Sequence, residues 1–147
     1  MMPFEDMLLI VQAVASAAMC GIIWFVQVVH YPLFARSGGD DRGFAVENQR
    51  RTARVVIPFM LAEGVAAAVF AWSPPAGVPR SLAVLGLAAV GVLWLSTGLI
   101  QMPLHARLAR EGHAPDVVAA LVRSNWLRTV LWTLRAGLAA WMLRAAG

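Results

Sequence analysis

Four apolar runs, residues 7–33, 55–72, 82–102 and 126–143, decide what this chain can fold into. Each is long enough to cross a bilayer as a helix, which takes roughly 17–25 mostly apolar residues. In lipid every backbone N–H and C=O must be satisfied within the protein, so a spanning segment is a helix or belongs to a closed barrel. The runs are rich in Ala, Val and Leu and show no period-2 alternation, which selects helices. Composition agrees, with 60% hydrophobic and 14% charged residues, whereas a soluble domain carries about 25% charged residues. The expectation is an all-α, single-domain polytopic membrane protein, a four-transmembrane-helix bundle whose first partner is the lipid bilayer.

The basic residues are all arginine, and their placement follows topology. Arg36, Arg42, Arg50, Arg51 and Arg54 lie between the first and second runs, and Arg107, Arg110 and Arg123 between the third and fourth. With four spans these two connections share one side, and the other side has only Arg80 and Arg144. The positive-inside rule then predicts a cell inner or plasma membrane protein with the Arg-rich connections cytoplasmic and both termini outside. A charge pattern of this kind argues against nucleic acid as a partner, while a homo-oligomer is compatible with it. Glu5 and Asp6 stand where a signal peptide would carry Lys or Arg, and the first run is too long for its apolar region. The single Cys20 leaves no intrachain disulfide and no Cys-based metal site.

Two stretches end alike. Residues 24–36 read WFVQVVHYPLFAR and residues 94–107 read WLSTGLIQMPLHAR. Each is an apolar run that closes on Pro-Leu-x-Ala-Arg, followed by a polar connection and a further apolar run carrying a charge. Superposition sets His30 opposite Gln101 and Phe34 opposite His105, and brings Glu63 near Arg135. This pattern predicts two tandem helical hairpins inserted in the same orientation.

The polar residues of the runs cluster towards the Arg-rich side. Gln27 and His30 are three apart, and Gln101 and His105 four apart, so each pair shares a helix face. Trp24 and Tyr31 read as an interfacial aromatic belt. Glu63 lies eight residues past Val55, roughly 12 Å into the membrane at 1.5 Å per residue. Arg135 lies nine past Trp126, at roughly the same depth. Either charge alone would be costly, so the two are expected to pair. Asn125, Arg128, Trp132 and Arg135 follow 3-4-3 spacing along one side of the fourth helix, a stripe that must face the bundle interior or a wet cavity. Residues 109–122 read as a connection with a short amphipathic surface helix, its apolar face carrying Val117, Val118, Leu121 and Val122.

The pattern Pro103-Leu104-x-x-x-Leu108, then Asn125-Trp126-x-Arg128-Thr129 and Trp132-x-x-Arg135, resembles the C-terminal half of the anthrone oxygenase-like family. These are small four-helix membrane proteins, some of them linked to oxidation of aromatic polyketides. The resemblance covers about the last third of the chain and implies a membrane-embedded, oxygenase-like site. His105 departs from it, since the family pattern has Asn two residues after the Pro.

Three function classes fit these residues. In a membrane oxidoreductase or monooxygenase acting on a lipophilic small molecule, His30, Glu63 and His105 would be acid/base or ligand groups. Arg128 and Arg135 would stabilise developing negative charge, and Gln27, Gln101, Asn125 and Trp132 would border the substrate. In a cofactor binder, His30 and His105 would ligate a transition metal or a non-covalent haem. In a carrier or accessory protein, the polar cluster would hold the bundle together. The expected site is a cavity on the cytoplasmic side where His30, Gln101, His105 and Arg128 converge.

Overall fold

The computed structural model describes residues 3–34, 42–112 and 114–146; Arg36 and His113 fall outside them. The described chain is four long helices with no strand. Helix α1 runs Phe4–Phe25, continues through a π-helical turn, Val26–His30, and ends with Tyr31–Phe34. Helix α2 is Arg42–Trp72. Helix α3 runs Arg80–Ser96, through a second π-helical turn, Thr97–Gln101, into Met102–Glu111. Helix α4 is Pro115–Ala146. The first three are long and apolar enough to cross a membrane. Helix α4 is as long, but Arg123, Arg128, Arg135 and Arg144 lower its hydropathy.

The helices extend further than hydropathy suggested. Residues 42–54, expected as loop, form the first turns of α2, where Arg, Glu, Gln and Ala are good helix formers. Here Glu47 pairs with Arg50 and Arg51 at three- and four-residue spacing. The expected surface helix is instead the start of α4. Its apolar face is correctly identified, but Val117, Val118 and Leu121 are buried against Tyr31, Ala45 and Leu108.

Helix α1 packs on α2 and α4, and α3 packs on the same two. The bundle is therefore a square, with α1 diagonal to α3 and α2 diagonal to α4. Helices α1, α3 and α4 each turn a heptad-like stripe inward, whereas α2 does so only from Glu63 to Phe70. On α4 it is Val118, Leu121, Asn125, Arg128, Trp132, Arg135, Ala139 and Met142, all buried, apolar at both ends and polar in the middle. On α1 it begins Leu9, Gln12, Ser16, Met19, Ile23.

The π-helical turns then change the register. Pro32 and Pro103 lack an N–H, and their rings clash with the carbonyl four residues back. In the preceding turn the bond spans five residues: the Tyr31 N–H donates to the Val26 carbonyl and the Met102 N–H to the Thr97 carbonyl. Each bulge inserts one residue into the stripe. On α1 the stripe passes from Ile23 to Gln27 and Tyr31, and on α3 from Leu93 to Gln101 and Leu108. Tyr31 is thus buried and not part of an aromatic belt, while His30 is only half-buried. The bulges fall at matching positions of the two hairpins, so the internal likeness extends from sequence to backbone.

At one end of the bundle Glu5 Oε1 accepts a hydrogen bond from the Ala76 N–H, and Gly77 lies against the Ala145 carbonyl. The Pro75–Val78 turn closes with a 3.0 Å bond and places Gly77 at φ 75°, a conformation glycine adopts without strain. The N-terminal end of α1, the C-terminal end of α4 and the α2–α3 turn therefore share this end. The Arg-rich segments are at the other.

Candidate functional site

Midway along the bundle the two diagonal helices α2 and α4 are joined by side chains. Glu63 Oε1 accepts from Arg135 Nε at 3.0 Å and from Ser16 Oγ at 2.8 Å. Its Oε2 accepts from Trp132 Nε1 at 3.0 Å. Arg135 Nη2 donates to Gln12 Oε1 at 3.3 Å. The ion pair expected from matched depth is present, and both side chains are 1% exposed. Gly86 on α3 makes room for it, since a Cβ there would sit 2.7 Å from Arg135 Nη1. Both Glu63 oxygens are occupied, so this layer is a closed polar lock. Gln12 and Ser16 of α1 also belong to it, although the sequence alone assigns neither to a site. Their spacing on the α1 stripe was the available signal.

One helical level towards the Arg-rich end, a cavity of about 210 Å³ opens between α1, α2 and α3, with Arg128 reaching in from α4. No residue of α2 between Ala45 and Glu63 is fully buried, although Val56, Phe59 and Met60 pack against Met19, Ile23, Leu93 and Trp132. The walls are mainly Met19, Ile22, Ile23, Val26, Val56, Ile57 and Met60. His30, Gln101, His105 and Arg128, the four residues expected to converge, all line it. Tyr31, Asn48, Gln49, Thr52 and Thr97 join them, three of these from the segment read as loop.

Tyr31 Oη and His105 Nε2 lie 3.2 Å apart, in a hydrogen bond whose direction follows the imidazole tautomer. This bond bridges the other diagonal, α1 to α3. His30 Nε2 faces Asn48 Nδ2 at 3.1 Å. Gln27 and Asn125 form a supporting layer behind the wall. Asn125 Nδ2 donates to Gln27 Oε1 at 2.9 Å, Gln27 Nε2 to the Val122 carbonyl at 3.2 Å, and Arg128 Nη1 to Asn125 Oδ1 at 3.1 Å. The Arg128 guanidinium lies 5.2 Å from the centre of the Trp132 ring, a cation–π distance. The sequence-read site thus divides in two: Glu63, Arg135 and Trp132 in the lock, and His30, Gln101, His105 and Arg128 in the pocket.

The donor geometry gives the reading of a transition-metal ion held by His30 and His105 no support. The two Nε2 atoms engage different partners, and no group of three or more His, Cys, Asp and Glu side chains gathers among the described residues. A structural or catalytic transition-metal site ordinarily needs at least three protein ligands.

Arg128 stands apart electrostatically. It is 7% exposed, and among the described residues its guanidinium has no carboxylate partner, whereas Arg135 at the next level is paired. Three buried side-chain polar atoms lack a hydrogen-bond partner among the described residues: Ser96 Oγ, Gln101 Oε1 and Arg128 Nε. Two of the three belong to residues lining the pocket.

No protein-family model matches this chain, and neither a curated protein nor a solved structure matches it.

Proposed function

We propose that this chain is a four-span membrane protein that takes a lipophilic molecule bearing an anionic oxygen from the bilayer and holds that oxygen against Arg128. The observation that carries this reading is a buried guanidinium without a carboxylate, set in a mostly apolar pocket. A buried guanidinium without a counter-charge is costly, which makes it a candidate for binding an anion. An anionic headgroup supplies the missing partner, and the Met and Ile walls take the apolar body. At about 210 Å³ the cavity is smaller than the roughly 300–1,000 Å³ of common ligand pockets, so a long ligand leaves its tail in the lipid. By the arginine asymmetry, the pocket opens in the cytoplasmic half of the membrane.

Binding alone fits a carrier or accessory protein. A catalytic reading is favoured by one further observation, the Tyr31–His105 pair beside Arg128. A tyrosine–imidazole pair can exchange a proton with a phenol or enol whose oxyanion a guanidinium stabilises. That would suit an oxidoreductase or monooxygenase acting on an aromatic molecule, as the resemblance to the anthrone oxygenase-like family implies. Of the residues carrying that resemblance, Asn125, Arg128, Thr129, Trp132 and Arg135 are buried together on α4, whereas Pro103 and Trp126 are exposed.

Equilibrium dialysis of the protein in nanodiscs, against empty nanodiscs, tests the binding step with 2-naphthoate and its neutral amide. Wild type should prefer the acid by about tenfold or more, the worth of a hydrogen bond to a charged group, and Arg128→Gln should erase the preference. Equal affinity of wild type for acid and amide would overturn the proposal.

A further inference from the structure

Gln101 carries a second statement about the ligand, and it rests on the pocket reading just given. Its amide orientation is set by the network behind it. The Ser124 hydroxyl donates to carbonyls of its own helix, Ala120 at 2.7 Å and Leu121 at 3.3 Å. A hydroxyl has one proton, so towards Gln101 Ser124 can only accept. Gln101 Nε2 therefore faces Ser124, at 3.0 Å, and the flipped amide would set two acceptors against each other. Oε1 is left as a buried acceptor without a partner, on a side chain 2% exposed that lines the cavity. The π-helical turn Thr97–Gln101 holds this side chain inward, because the extra residue puts Gln101 and not the exposed Ile100 on the interior stripe.

Two residues lining the pocket thus carry unlike groups: a cationic donor on Arg128, and an unpartnered neutral acceptor, Gln101 Oε1. We infer that the ligand is a lipophilic hydroxy acid, phenolic acid or equivalent, whose anionic oxygen meets Arg128 while a separate O–H or N–H donates to Gln101 Oε1. A simple fatty or aromatic acid would satisfy the first group and leave the second bare. Sites built to hydrogen-bond a substrate hydroxyl discriminate strongly against analogues that lack it, because their own buried group is then unpaired.

The test compares 2-naphthoate with its ring-hydroxylated isomers in the same nanodisc dialysis. At least one isomer should bind wild type about tenfold tighter than the parent acid. Gln101→Met should bring that ratio to within about twofold, since the methionine sulfur is only a weak acceptor. Ser124→Ala, which frees the amide to turn, should lower the ratio while the preference for acid over amide persists. If 2-naphthoate binds in an Arg128-dependent way and no isomer exceeds it by more than about twofold, this inference falls and the anion pocket stands. If neither the parent nor any isomer shows Arg128-dependent binding, the pocket reading itself falls and takes this inference with it.

Discussion

Glu63 and Arg135 are matched in depth and burial but not in chemistry. A carboxylate left alone in an apolar interior can shed its charge by binding a proton, whereas a guanidinium stays charged. Removing the acid is therefore the worse injury. Glu63→Gln should cost about 3–5 kcal/mol, the range for breaking a buried pair, and also leaves Ser16 and Trp132 facing a weaker acceptor. Arg135→Gln should cost less, and the double change should be more stable than Glu63→Gln alone. Thermal unfolding in detergent ranks the three, and a double variant less stable than Glu63→Gln would contradict the lock. This pair was legible in the sequence because depth depends only on residue count from the membrane edge. Tyr31 was not. An aromatic residue near a span end looks the same whether it faces the interface or the interior, and only the π-helical insertion turns it inward.

At the scale of elements, the interior stripes show what periodicity can and cannot tell. The 3-4-3 run of Asn125, Arg128, Trp132 and Arg135 was readable, because α4 keeps one register from Val118 to Met142. Helices α1 and α3 each change register just before a proline, so a residue-counting argument drifts by one position beyond Ile23 and Leu93. Hydropathy falls over residues 42–54 and so hides a helix that their propensities favour, together with the pocket-lining Asn48, Gln49 and Thr52. Glycines of α3 separate packing from propensity. A Cβ at Gly86 would press on a guanidinium already held by Glu63 and Gln12, whereas one at Gly91 would meet nothing within 4 Å. Gly86→Ala should lower the unfolding temperature, and Gly91→Ala should leave it unchanged or raise it slightly, through the ~1 kcal/mol helix advantage of Ala over Gly. Equal effects at the two sites would show that α3 does not approach Arg135 as closely as described.

The whole molecule segregates its polarity by end as well as by face. The end formed by the start of α1, the close of α4 and the Pro75–Val78 turn is packed with Leu9, Phe70, Val78 and Met142. Of the arginines, only Arg80 and Arg144 are at that end. The opposite end carries Arg42, Arg50, Arg51, Arg54, Arg107, Arg110 and Arg123, and the pocket lies in this half. Some of these arginines are tied to nearby acids, as Arg107 is to Glu111 and Asp116. The rule of orientation counts Lys and Arg in short connections whatever acids accompany them, so those pairs do not dilute it. The connections between the four runs are all short, so the rule applies to each of them. We therefore expect reporter fusions at the C-terminus to report the outer compartment, and fusions within residues 42–54 to report the cytoplasm. Replacing Arg50, Arg51 and Arg54 with Gln while placing three Lys in the 73–79 turn should produce a mixed or inverted population, which a purely sequential insertion of α1 would not. Cytoplasmic C-termini in the unmodified chain would reverse the orientation, and the pocket would then draw its ligand from the outer leaflet.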